Sequence, residues 1–199
     1  MLTAADLIAF EREVARRYDA GEIRAPVHLS GGSENQLIEI FRDISRDDLV
    51  LSTWRSHYHA LLHGVPPDEL MRQILAGRSM YVNSVEPWFY ASSIAGGILP
   101  IAVGLGMGIK RKGESRKVFC FVGDMTSECG IFWESAKYVR NFNLPVTFII
   151  ESNGRSVLTP TEATWGAMTD WSEYFYNVRH YEYELSWPHH GTGVQQKAF

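Results

Sequence analysis

Two short apolar runs, "RKVFCFVGD" ending at Asp124 and "PVTFIIESN" ending at Asn153, enclose the amphipathic stretch "CGIFWESAKYVRNFNL". Near-continuous apolar runs of this length read as strands buried on both faces, and a helical segment between them makes a βαβ unit with parallel strands. Such crossovers are right-handed in nearly all cases, so both strand C-termini reach one edge of the sheet. Ligands bind along that edge in open α/β sheets. Asp124 and Asn153 are therefore expected to converge there.

An Asp carboxylate, an Asn carbonyl oxygen and a nearby backbone carbonyl form a hard-oxygen set that suits Mg²⁺, which completes its shell with water and substrate phosphate oxygens. The helix starting near Cys129 would aim its N-terminal N–H groups and dipole at the same point, favouring a diphosphate. Asp and Asn are also common turn residues at strand ends, and that plainer reading stands beside the metal one.

The rest of the chain frames this unit. Residues 3–20 read as an amphipathic helix with Leu7, Ile8 and Phe10 on its apolar face, and a second helix is expected over 33–46. "DDLVLSTWR" has a strand-like run, "PPDELMRQILAG" has the Pro start and Gly stop of a helix, and "YFYNVRHYEYEL" reads as a strand or a subunit interface. "GLGMG" lies in a helical stretch with no strand before it, so it reads as close helix packing and not as a dinucleotide loop.

With 199 residues, 45% of them hydrophobic, one domain spanning 1–199 is expected, with a C-terminal tail over 186–199. The net charge of −4 excludes the broad positive field that recruits nucleic acid or anionic membrane, so any phosphate must be held locally. The opening residues carry Asp6, Glu11 and Glu13, which fits neither a signal nor a transit peptide. No apolar run approaches the roughly 20 residues of a membrane span. Cys120 and Cys129 form neither a disulfide framework nor a zinc spacing, and a cytoplasmic setting is expected.

"GDMTSECGIFWESAKYVRNFNLPVTFIIESNGRSVLTP" resembles the thiamine-diphosphate motif, Gly-Asp-Gly followed at a distance by an Asn, as found in the alpha subunit of the decarboxylating component of 2-oxo acid dehydrogenases. The upstream segments "LSGGSENQLIEIFRDISRDDLVLSTWRSHYHALLHGVPPDELMRQILAGR" and "WFYASSIAGGILPIAVGLGMGIKRKGESRKVFCFVGD" resemble the same family, so the likeness covers residues 28–165. It implies a three-layer α/β/α fold with a mainly parallel central sheet, and thiamine diphosphate with Mg²⁺ as cofactors.

By the same resemblance, Asp124, the Asn153 side chain and the Arg155 carbonyl are metal ligands. Arg55 contacts the diphosphate, with Trp54 beside it where the family has Tyr. Ile94, Ala95 and Gly96 touch the aminopyrimidine, and Gly123, Met125 and Thr126 complete the diphosphate turn. His57 and His59 are the catalytic candidates, for proton transfer or for binding a substrate carboxylate. Ser127 and Glu128 open the helix under the diphosphate, with Glu128 also readable as its cap. His63 and His180 read as packed polar residues, while His189 and His190 fit a tail, a lid or a partner contact equally well.

Two departures stand out: Met125 replaces the family's third glycine, and "GRSMYVNSVEPWF" is shorter than the matching segment and lacks its Ser-Met-His. In this family the cofactor lies between a diphosphate-binding and a pyrimidine-binding domain, and 199 residues accommodate only the first. The resemblance thus implies a beta-type partner subunit supplying the activating Glu, in an α₂β₂ assembly acting on a 2-oxo acid. The reaction stays open among dehydrogenase, decarboxylase and carboligase, with a split transketolase acting on sugar phosphates or a non-catalytic assembly subunit as alternatives.

Overall fold

A computed structural model describes residues 2–194. The chain divides into two compact units, one within 2–46, 54–93 and 184–194 and the other comprising 47–53 and 94–183.

The second unit carries the βαβ arrangement. Strand β1 (Leu49–Ser52), β4 (Val118–Gly123), β5 (Val146–Ser152) and β8 (Val178–Glu182) lie side by side in that order, all parallel. Every residue of β1 and all of β4 up to Val122 are buried, as the unbroken apolar runs require. Helix α5 (Ile98–Lys112) precedes β4, and a short α6 (Asp124–Ser127) and α7 (Gly130–Asn141) carry the crossover to β5. A small hairpin of β6 (Arg155–Ser156) and β7 (Thr159–Pro160) leads into α8 (Thr161–Trp165). The fold is α/β on a mainly parallel sheet flanked by helices, the class that the sequence implies.

Aromatic packing fixes α7 against the sheet. The Phe132 ring meets Phe148 of β5 at 5.5 Å and Trp171 at 4.7 Å, in edge-to-face geometry that favours such pairs beyond their buried area. The "GLGMG" stretch is the middle of α5, as expected for packing. A Cβ on Gly106 would stand 2.4 Å from Cγ2 of Val146, so only glycine lets α5 approach β5 this closely.

The first unit holds α1 (Ala4–Asp19), α2 (Glu34–Phe41), α3 (His57–His63), α4 (Pro67–Leu75) and an antiparallel pair of short strands, β2 (Asn83–Ser84) and β3 (Phe89–Ala91). Thr3 and Asp6 close a capping box on α1, and Pro67 starts α4. Helix α2 ends at Phe41, short of the expected residue 46, where the charged "RDISRDD" takes over.

The core of this unit is tied by a buried carboxylate. Glu11 of α1 is wholly buried, and its Oε1 accepts the Ser30 amide at 2.7 Å and faces Nδ1 of His57 at 3.1 Å. The other His57 nitrogen, Nε2, lies 3.0 Å from Oγ of the buried Ser79. One network thus joins α1, the loop before α2, α3 and the loop after α4.

Two consequences are measurable by chemical denaturation. His57→Ala, which strands the Glu11 carboxylate in the core, is expected to destabilise the chain by about 3–5 kcal/mol. Gly106→Ala forces α5 off β5 and is expected to cost about 1–3 kcal/mol, the usual penalty for overpacking.

Candidate functional site

The register of β4 and β5 pairs Gly123 with Glu151, so Asp124 and Asn153 leave the sheet at the same edge. Asp124 is 2% exposed. Its Oδ2 accepts a hydrogen bond from the Thr161 hydroxyl at 2.8 Å, and the amides of Met125 and Gly154 also donate to the carboxylate. Gly154 belongs to the turn that Asn153 opens, so the Asp124 carboxylate itself fastens the end of β4 to the end of β5. Burial pushes the Asp124 pKa above the ordinary aspartate value, against the opposing pull of Thr161 and the backbone donors.

Both edges of the Asn153 amide are engaged. Its Oδ1 accepts the Arg155 amide at 3.2 Å, an Asx-type turn, and its Nδ2 donates to the Tyr183 hydroxyl at 3.1 Å. The expected convergence of Asp124, Asn153 and Arg155 is therefore present within one unit. The set is oxygen-rich and centred on a desolvated carboxylate, a combination that fits a hard divalent cation.

The turn after β4 is held on both sides. Sδ of Met125 accepts from the Trp165 indole N–H at 3.0 Å, so α8 holds the side chain that replaces the family's third glycine. The Ser127 hydroxyl donates to the Asp124 carbonyl at 2.7 Å. Glu128 does not cap α7: its carboxylate accepts the amide and hydroxyl of Thr169, at 3.1 and 2.8 Å, and so pins the segment after α8. Gly96, at φ +75°, sits where a Cβ would approach Ile131 to 3.1 Å and Thr126 to 3.9 Å. The Ile94–Gly96 turn therefore borders α6 and the first turn of α7, with Ile94 itself 69% exposed.

The remaining candidates belong to the other unit. Arg55 donates through Nη2 to the His189 carbonyl at 2.9 Å and lies 3.1 Å from that residue's Nδ1. The ring of His189 meets His28 edge-on at 4.9 Å, and Trp54 faces His28 at 6.1 Å. The tail is seated further on, where the Gly191 amide donates to the Val27 carbonyl at 2.8 Å. Residues 195–199 of the expected 186–199 tail lie outside the described residues.

His57 and His59, the catalytic candidates of the sequence, both lie in the interior of the first unit. His57 is wholly buried with both ring nitrogens engaged by Glu11 and Ser79, and His59 is 2% exposed with its ring against Phe41. Six of the seven residues of α3 are buried, so both rings are enclosed although they project from different sides of the helix. His63 is buried as expected, but His180 is exposed on β8 and is not a packed residue. Sequence reading passed over Thr161, Tyr183 and the Glu128–Thr169 pair, whose partners lie tens of positions away. It also passed over Glu11, for which a signal existed: it falls on the same helical face as Leu7, Val14 and Tyr18.

A family model described as dehydrogenase E1 component matches residues 3–174. The alpha subunit of acetoin:2,6-dichlorophenolindophenol oxidoreductase from Cupriavidus necator is 31% identical over 73% of this chain and 46% of its own length. The alpha subunit of the pyruvate dehydrogenase E1 component from Porphyra purpurea is 32% identical over 72% of this chain and 47% of its own. The Bacillus subtilis counterpart of the acetoin protein is 29% identical, over 79% and 50%. The chain spans about half the length of the curated relatives it matches.

Two expectations follow. Thr161→Val leaves the buried Asp124 carboxylate one donor short and should cost about 1–3 kcal/mol in a denaturant titration. His28 has its pKa lowered from 6.5 to about 3, first by burial and then by Arg55 and the neighbouring His189 and His190. A depressed folded-state pKa means that the unfolded chain takes up the proton first, so this contribution is whole above pH 6.5 and is lost as pH falls toward about 3. Thermal melts across that window should show a shallower loss of Tm in His28→Gln than in the parent.

Proposed function

Because the chain belongs to the dehydrogenase E1 component family, we propose that it is the diphosphate- and Mg²⁺-binding subunit of a two-chain thiamine-diphosphate enzyme acting on a 2-oxo acid of the pyruvate type. The observation that carries this reading is the pairing of a buried Asp124 with Asn153 through the Gly154 amide, at the strand edge where an α/β sheet binds ligands. Thiamine diphosphate, when bound, supplies the carbon nucleophile and electron sink for cleaving or forming the bond next to a 2-oxo group.

The chain's own part is to hold and orient. Asp124, the Asn153 Oδ1 and the Arg155 carbonyl would bind Mg²⁺, and the cation would in turn relieve the cost of keeping the Asp124 carboxylate out of water. Backbone N–H groups of the turn after β4 would face the diphosphate, and Met125 is compatible with that because its side chain is drawn toward Trp165. The Ile94–Gly96 turn would meet the aminopyrimidine through its backbone. The names of the relatives support a partner: each is an alpha subunit, and a beta-type subunit would bring the activating Glu, in an α₂β₂ assembly. The relatives' names, an oxidoreductase and a dehydrogenase component, favour a dehydrogenase-type reaction, while the shortened segment at residues 77–89 suits a decarboxylase or carboligase equally well.

Calorimetric titration of thiamine diphosphate with Mg²⁺ into the chain, co-expressed with its beta-type partner, tests this directly. Saturable binding that Asp124→Ala abolishes is the expected result. Absence of binding to the unsubstituted complex, or binding that survives Asp124→Ala, would overturn the assignment in favour of a non-catalytic assembly subunit.

A further inference from the structure

We propose that Tyr183 is a positioning residue that fixes which edge of the Asn153 amide faces the candidate metal site. The inference rests on the Mg²⁺-binding reading above and adds to it a residue from the far edge of the sheet.

An amide, unlike a carboxylate, has two chemically opposite edges, an oxygen that ligates a cation and an NH₂ that repels one. Orientation therefore decides whether Asn153 is a ligand at all. The Arg155 amide donates to Oδ1 at 3.2 Å, a long bond from the exposed first residue of β6. The opposite edge is held by Tyr183, whose hydroxyl accepts from Nδ2 at 3.1 Å. Turning the amide over would set its NH₂ against the Arg155 N–H.

Tyr183 is itself well placed for this task. Its amide donates to the Ser152 carbonyl at 2.9 Å, which extends the parallel pairing of β5 with β8 by one residue, up to the position just before Asn153. Its ring lies 5.9 Å from that of Tyr181, whose hydroxyl in turn donates to the buried Glu151. Strand β8 and the residue just after it thus present two phenols to consecutive parts of the β5 end. Tyr181 grips the strand, and Tyr183 grips the side chain that leaves it. Groups that orient metal ligands in this way are generally worth about 10–100-fold in metal affinity.

The test is a Mn²⁺ titration followed by electron paramagnetic resonance, with thiamine diphosphate present and the beta-type partner bound. Mn²⁺ serves as an oxygen-ligated stand-in for Mg²⁺. Tyr183→Phe, which keeps the ring and removes only the hydroxyl, should weaken Mn²⁺ by about tenfold or more. The same change should leave affinity unmoved in an Asn153→Asp background, because a carboxylate offers oxygen on both edges and needs no orienting. Parent-like affinity in Tyr183→Phe overturns the inference. So does an equal loss in both backgrounds, which would mark a merely structural role for the phenol. If the unsubstituted complex binds no Mn²⁺, or Asn153→Ala binds it as tightly as the parent, the metal-site reading itself fails.

Discussion

The parallel register of β4 on β5 is the constraint from which the rest of the second unit follows. Both strands are buried along nearly their whole length, so their apolar side chains alone discriminate poorly between one register and the next. The discrimination comes from the ends. At the start, the Val118 amide donates to the Pro145 carbonyl at 2.8 Å, and at the finish Asp124 takes the Gly154 amide and the Thr161 hydroxyl. A slip of one residue would leave a buried carboxylate without these donors, at a cost of several kcal/mol. The group proposed to bind metal is therefore also the group that sets the register.

The first unit uses the same physics without the same outcome. Glu11 is as deeply buried as Asp124, but its partners are Ser30 and His57, with Ser79 on the far nitrogen of that ring, all of them interior. Asp124 lies at the end of a strand beside turns that open outward, whereas Glu11 lies mid-helix with elements packed around it. Two buried carboxylates in one chain thus take different roles, one as a lock between helices and one as the centre of a candidate ligand site. Geometry relative to the sheet edge makes the difference, since the chemistry of the two groups is the same.

Much of this was legible in the sequence where periodicity and chain punctuation agree. The runs that end at Asp124 and Asn153 form strands, the segment between them forms α7, and "GLGMG" packs a helix against Val146. Single-residue assignments fared less well where they depended on what a side chain meets in space. His57 and His59 fall next to Arg55 in sequence, but α3 is buried nearly all round, and the enclosure of a whole helix cannot be deduced from adjacency alone. Glu128 could be placed at a helix boundary but not on Thr169, because a contact across 41 positions leaves no local trace. The same holds for Tyr183, visible beforehand only as one aromatic among many in a strand.

The Met in place of the family's third glycine bears on how an acidic chain can hold an anion. With a net charge of −4, attraction for the proposed diphosphate would have to come from oriented backbone donors and the proposed cation, not from a general positive field. A glycine at that turn keeps the donors uncovered by having no side chain. Met125 reaches the same end by a different route, since its thioether accepts the Trp165 indole N–H and so has a partner on α8. Thr161, which opens α8, is also the residue that donates to Asp124. One short helix thus serves both neighbours in the turn, supplying a donor to the buried carboxylate with its first residue and a tether for the bulky replacement with its last. That coupling explains how the substitution can be accommodated without dismantling the turn around Asp124.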